Sequence, residues 1–180
     1  IDRASADLQS YFLSGGYYGK KTVIKALAFG GKEVTYQSWN GTPEARLTND
    51  QEGLEAVASN NGYSDEQRAN LFNSGRTFNF YLYDNQVDNY NQDHYQLHLS
   101  QQLSDNLTGN VSLHYTYGRG YFEEFRDGED LADYNIDPIV IGGETITETD
   151  LSRRRWLDID FYGLTYSFDY KLKEESNIFV

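Results

Sequence analysis

From His94 to Tyr117 the chain alternates polar and apolar residues with a period of two. On the first arm His94, Gln96, His98, Ser100 and Gln102 are polar. Tyr95, Leu97, Leu99 and Leu103 are apolar, with Gln101 as the exception. The second arm sets Asn110, Ser112, His114 and Thr116 against Val111, Leu113, Tyr115 and Tyr117. Alternation on two adjacent arms predicts an antiparallel β-hairpin. Each arm is about ten residues long, enough for a tilted strand to cross a bilayer. In a soluble sheet the apolar face enters a core; in a membrane barrel it enters lipid and the polar face lines a wet lumen.

The same reading predicts strands at Leu8 to Tyr17, Thr22 to Gln37 and Trp156 to Leu172, and a strand stub at Ile178-Phe179-Val180. The fifth strand alternates cleanly, with Tyr162, Leu164, Tyr166, Phe168, Tyr170 and Leu172 on one face. The first two strands mix polar and apolar residues in both phases, and their faces stay unassigned. Short turns are predicted at 18–21, 104–107 and 173–177, and long polar connections at 38–91 and 118–155. Alternating short and long connections suit an outer-membrane barrel, with short periplasmic turns and long extracellular loops. A compact soluble domain rarely carries loops of that length. Within the first long connection, Ser64-Asp65-Glu66-Gln67 is a capping-box pattern and predicts a helix from about Asp65 to Phe72. Arg76 to Tyr83 alternates and predicts a strand extension. Five strands and a stub cannot close a barrel, whose smallest membrane form needs about eight strands. The fold class expected is therefore all-β: an antiparallel transmembrane β-barrel segment, with residues 1–180 a partial barrel domain.

Composition narrows the partners. The 16 tyrosines and 10 phenylalanines suit aromatic girdles at membrane interfaces. A net charge of −13 argues against nucleic acid, whose phosphates call for clustered Lys and Arg. There is no Cys, so disulfides and thiolate metal sites are excluded. No run of about 18 apolar residues predicts a transmembrane helix. The chain starts at Ile1 without Met and is read as a mature chain or an internal piece.

The stretches FGGKEVTYQSWNG (29–41), YDNQVDNYNQDHYQLHLSQQL (83–103), LHYTYGRGYFEEFR (113–126) and RRRWLDIDFYGLTYSFDY (153–170) resemble the barrel domain of TonB-dependent outer-membrane receptors of the kind common in Bacteroidetes. The resemblance implies a barrel of about 22 strands within the range such barrels span, plugged by an N-terminal domain and energised through the TonB complex. Neither plug nor TonB box is recognisable in these residues, so the chain is read as an internal fragment of the barrel wall. The implied function is uptake of a scarce nutrient such as a ferric siderophore or cobalamin, without bond chemistry and without a cofactor.

Each candidate chemistry has a plainer alternative. His94, His98 and His114 share the polar face. A three-residue loop within 104–107 sets His98 directly opposite His114, with Cβ atoms about 5 Å apart. Such histidines could bind a transition metal; the adopted reading is that they line the lumen and that no metal is held. Asp84, Asp88 and Asp93, interleaved with Asn85, Asn89 and Asn91, could hold Ca²⁺, but their spacing matches no EF-hand loop and a solvated loop base is preferred. The acidic run Glu123, Glu124, Asp127, Glu129, Asp130 and Asp133 is read as a solvated loop. Asp158 and Asp160 beside Trp156 invite a glycosidase reading, yet no carboxylate partner across a cleft is identified. Trp39, Tyr81, Tyr83, Tyr121 and Phe122, aromatics near the loop bases, are the ligand-contact candidates, with Arg119 for an anionic group. The alternative for each is loop packing or rim anchoring. A surface carbohydrate-binding or adhesin-type β-protein is the second functional reading, and a carbohydrate-active enzyme the third.

Overall fold

The computed structural model of the chain describes residues 1–173 and 176–179. In chain order it contains β1 (Ala6–Tyr18), β2 (Thr22–Tyr36), α1 (Glu44–Thr48), α2 (Gln51–Asn60), α3 (Asp65–Asn73), β3 (Val87–Gln102) and β4 (Leu107–Asp130). A 3-10 turn (Leu131–Tyr134), β5 (Ile139–Ile141), β6 (Glu144–Ile146), β7 (Glu148–Lys173) and β8 (Ser176–Phe179) follow. The main sheet is six-stranded in the order β1-β2-β3-β4-β7-β8, and β5 and β6 form a separate pair. The fold is predominantly antiparallel β. Among the described residues the sheet has two edges, at β1 and β8, and no closed barrel. Among the same residues no helix is long and apolar enough to cross a membrane, which says nothing about strands.

The five predicted strands are all present, but three are longer than the alternation implied. The connection expected over 118–155 is mostly strand: β4 continues to Asp130 and β7 already begins at Glu148. There the polar positions are satisfied across strands, with Arg154 on Glu123 and Arg153 on Glu124, each at 2.7 Å. Paired charges hide the apolar–polar period that marks a strand with one wet face. β3 likewise starts at Val87, inside the expected loop. Around Gly142-Gly143, both at positive φ, β5 and β6 form a two-residue hairpin of the kind such a glycine pair favours.

The chain folds as two compact units. One comprises Leu8–Glu33, Tyr90–Gly120 and the chain from Trp156 onward, and holds both described short turns. In this unit the hairpin turn is Ser104-Asp105-Asn106. The Leu107 carbonyl accepts from the N–H groups of Leu103 (2.8 Å) and Ser104 (3.2 Å), and Ser104 Oγ accepts from the N–H of Asn106. Leu107 is thus the first strand residue rather than the last turn residue. That single-residue change moves the register by two. His98 meets Ser112, not His114, and His94 meets Thr116, each at 2.8 Å.

The two faces of this unit differ in character. Tyr95 stacks on Tyr115 (6.0 Å), which stacks on Tyr162 (4.8 Å). Leu97, Leu113 and Leu164 on the same face are 44%, 46% and 62% exposed. An open apolar groove runs between them and the tyrosines. On the other face the polar residues are half-buried: His94, Gln96, His98, Ser112 and His114. The faces of the first two strands also become clear. Phe29 stacks on His94 (4.7 Å) and neighbours Phe12, so both phenylalanines lie on the histidine face. Tyr11 instead donates from its hydroxyl to Asp93 (2.8 Å). The aromatic residues on the histidine face are what blurred the alternation. Two glycines make room there. A Cβ at Gly163 would collide with the His114 ring, and one at Gly118 with the phenol of Tyr90.

The last predicted turn, 173–177, includes residues 174–175, which lie outside the described residues, as does Val180. β8 begins at Ser176 and pairs with β7, Asp169 opposite Phe179 and Tyr170 opposite Ile178.

The second unit comprises Ile1–Asp7, Val34–Asn89 and Tyr121–Arg155. Its core is small and helical: Leu54, Ala58, Leu71 and Phe78, with Ala45, Val57, Tyr63, Phe72 and Phe80 packed against them. The predicted helix is present as α3, with both capping-box bonds: Ser64 Oγ accepts from the Gln67 N–H (3.3 Å), and the Ser64 N–H donates to Gln67 Oε1 (2.9 Å). Such a cap contributes about 1 kcal/mol. The helices α1 and α2 stand where the sequence pattern predicts only loop. The expected strand at Arg76 to Tyr83 does not form. Phe78 is fully buried in the helical core, and the Asn79 carbonyl accepts from the side chains of Arg3 and Asn70. The apparent period of two there records residues anchored beneath the helices, not a ladder.

Candidate functional site

The predicted ligand-contact residues fall into three places. The first is an aromatic platform in the helical unit. β2 ends at Tyr36, and the next side chain, Gln37, is fully buried and donates from Nε2 to the Glu123 carbonyl (2.9 Å). That anchor fixes the chain just before Trp39. The Trp39 indole donates from Nε1 to Asp88 Oδ2 (3.1 Å) and is held edge-on by Tyr81 (6.2 Å) and Phe122 (5.4 Å). Tyr81 contacts Phe80, and Phe80 contacts Tyr63, so the platform is rooted in the helical core. Trp39 nevertheless remains 56% exposed. Burial, reinforced by the nearby carboxylates of Glu124 and Asp88, raises the pKa of the Tyr81 phenol and keeps it a neutral donor. Arg155 lies over the Phe122 ring at 5.3 Å.

Tyr83 and Tyr121 belong to a second group. Tyr83 stacks on Phe125 (5.6 Å), and Tyr121 lies under the guanidinium of Arg154 (4.5 Å) with its hydroxyl accepting from Asn89. Glu123 is the hub beneath them and is only 5% exposed. Its two carboxylate oxygens accept from Asn85 Nδ2 and Arg154 Nε, each at 2.7 Å. These contacts are aromatic packing and charge pairing, and Tyr83 stays 37% exposed. Arg119 belongs to the other unit. There it lies over Trp156 (5.5 Å) and 3.9 Å from Asp158, with both charged side chains more than half exposed.

The histidines form a hydroxyl-linked row. His94 Nδ1 and His114 Nε2 both reach Thr116 Oγ1, at 2.8 and 3.2 Å, and His98 bridges Ser112 and Gln96. Thr116 is buried. Among the described residues no three His, Cys, Asp or Glu side chains converge as a metal site would require. The Asp84, Asp88 and Asp93 set is dispersed in function: Asp88 holds Trp39, and Asp93 accepts from Tyr11 and Asn91. Asp160 accepts from the Tyr115 hydroxyl at 2.6 Å, and Asp158 faces Arg119.

Sequence reasoning missed Arg155, Phe80 and Tyr63 as platform components. One signal was present, the three consecutive arginines at 153–155; the structure pairs Arg153 with Glu124 and Arg154 with Glu123. No protein-family model matches the chain, and neither a curated protein nor a solved structure does.

Proposed function

We propose that this chain is part of the wall and outer loops of a TonB-dependent transporter's β-barrel in the cell outer membrane. Its role there is energised uptake of a scarce, bulky nutrient such as a ferric siderophore or cobalamin. One observation carries the reading: β3 and β4 expose the apolar residues of one face, Tyr95, Leu97, Leu99, Val111 and Leu113, and half-bury the polar residues of the other. In water that arrangement is unfavourable, because contiguous apolar patches of this kind mark interaction surfaces. In lipid it is the expected outer wall of a barrel. The run Tyr162 to Leu172 rises roughly 25 Å on a strand tilted about 40°, the height of the apolar band of such barrels. Tyrosines at Tyr95, Tyr115 and Tyr162 supply one interfacial girdle. The two open sheet edges pair with further strands, since unpaired backbone groups in lipid cost several kcal/mol each.

In this reading the histidine row faces the plugged lumen, and the plug links the barrel to the TonB complex. The Trp39 platform is the first contact for ligand, and the protein does no bond chemistry. A surface carbohydrate-binding protein is the second reading, favoured by the exposed, rigidly held Trp39. Deleting the gene separates them. The transporter reading expects loss of labelled ferric siderophore or cobalamin uptake, restored by the intact gene. Unchanged uptake of every such nutrient, with loss of glycan adhesion, favours the second reading.

A further inference from the structure

We infer that the turn between β1 and β2 is a docking point for the headgroup of an anionic phospholipid, with Lys20 and Lys21 meeting its negative charge beside the exposed Tyr17 ring. The inference rests on the lipid-facing wall proposed above and names a preferred lipid for one corner of it.

Charge is segregated along this chain. Residues 8–32 contain four lysines and no acidic residue, while the other 11 basic residues meet all 28 acidic ones. The β1–β2 hairpin is thus a basic segment in a strongly acidic chain. Lys20, Lys21 and Lys25 lie in or next to its turn, where the Gly19 N–H donates to the Thr22 carbonyl (2.8 Å). All three are exposed, and among the described residues none forms an ion pair. Tyr17 and Tyr18 flank them and are 62% and 70% exposed. Each ring lies against a glycine: a Cβ at Gly19 would meet the Tyr17 hydroxyl at 2.9 Å, and one at Gly16 the Tyr18 ring at 2.8 Å. The Lys25 ammonium stands over the Tyr18 ring, 5.9 Å from its centre. The period of two puts Leu13 and Tyr17 on the face of Tyr11, opposite to that of Phe12 and the histidines. The turn stands at the Leu103 end of the sheet, since the Lys21 carbonyl accepts from the Gln102 N–H (2.8 Å) and Thr22 Oγ1 donates to Gln101 Oε1 (2.7 Å). At this corner the apolar face ends on a tyrosine, and two unpaired ammonium groups follow. That is the order of chemistry at a membrane boundary, with the ring at the interface and the cation among the headgroups. Each lysine near the surface favours an anionic lipid about fivefold. An acidic protein segment would match the charge but not Leu13, which continues the same face and is 66% exposed.

The whole protein, with p-benzoylphenylalanine in place of Tyr17, is illuminated in vesicles of equal parts phosphatidylcholine and phosphatidylglycerol. Whatever touches position 17 is crosslinked and identified by its mass. In about 0.1 M salt, where the Debye length is about 10 Å, the phosphatidylglycerol adduct is expected to exceed the phosphatidylcholine adduct by about tenfold or more. Lys20→Gln combined with Lys21→Gln should bring the ratio close to one. Salt at about 1 M, which shortens the Debye length to about 3 Å, should do the same. Lys20→Arg combined with Lys21→Arg should preserve the ratio. Both lysines are exposed, and the heat-modifiable band of each variant verifies its assembly. Equal yields of the two adducts with both lysines in place overturn the inference and leave the lipid-facing reading intact. A ratio unchanged by the two glutamines does likewise. Absence of any lipid adduct overturns both. An acidic protein crosslinked at position 17 in native outer membranes, and lost with the two lysines, overturns the inference in favour of a protein partner.

Discussion

Tyr166→Arg is expected to stop this protein assembling in a membrane, while Thr165→Arg, one residue along the same strand, is tolerated. Both positions are exposed, and they point to opposite faces of β7. In a sheet surrounded by water, either substitution falls within about 0.5 kcal/mol of neutral, because neither side chain touches a core. In lipid the two diverge. An arginine near the bilayer midplane on the outer face costs about 2–4 kcal/mol, whereas a lumen position accepts charge. The difference corresponds to at least a tenfold change in the assembled fraction. It is read by urea titration of barrels folded into bilayers, or by the heat-modifiable band of cells expressing each variant. Equal behaviour of the two variants would remove the lipid-facing assignment of the whole Tyr162 to Leu172 row.

The second large effect lies in the helical unit. Phe78 is 1% exposed and fills the space between Leu54, Ala58 and Leu71. Phe78→Ala should cost about 3–5 kcal/mol, the loss of transfer energy plus that of a cavity. The helices α1, α2 and α3 are short, and such helices are marginal without tertiary packing. They should open together, with hydrogen exchange across 44–73 accelerating while β3 and the lower part of β4 stay protected. The platform should weaken as well, since Phe80 and Tyr63 connect it to that core. Slow exchange retained in the helices would show that Phe78 is not what holds them.

These two predictions trace back to unequal legibility in the sequence. The hairpin and the half of β7 from Tyr162 onward were readable because one face is apolar apart from Gln101 and the period of two survives. The strand portions around Glu123 and Arg154 were not, because partners on neighbouring strands neutralise charges that look loop-like in one dimension. α3 was legible through its reciprocal Ser64–Gln67 cap. α1 and α2 lack a side-chain cap bond at the N-terminus; α1 has only five residues, and α2 carries its helical period on just Leu54, Val57 and Ala58. At Arg76 to Tyr83 alternation misled, since Phe78 is buried under helices rather than paired in a sheet. The histidine register failed on a single turn residue, Leu107.

The candidate site was legible in type but not in grouping. Interleaved aromatics at the loop bases pointed to Trp39, Tyr81 and Phe122, which do meet. Tyr83 and Tyr121 belong to a neighbouring group centred on Glu123. The arginine beside the platform is Arg155, whereas Arg119 lies over Trp156. Which of several arginines approaches a given ring depends on strand register over long distances, and local pattern carries no such information.

The central claim is that the exposed apolar face of the sheet unit meets lipid. Because the chain has no cysteine, single cysteines at 97, 113 and 164 and at 98, 112 and 165 can each carry a spin label unambiguously. Collision with oxygen, which concentrates in lipid, is compared with collision with a water-soluble nickel chelate, in the whole protein in bilayers. The account predicts high oxygen and low nickel accessibility at 97, 113 and 164, and the reverse at 98, 112 and 165. Nickel accessibility that is equally high on both faces, or labels at 97, 113 and 164 shielded from both reagents as in a dry core, would contradict it.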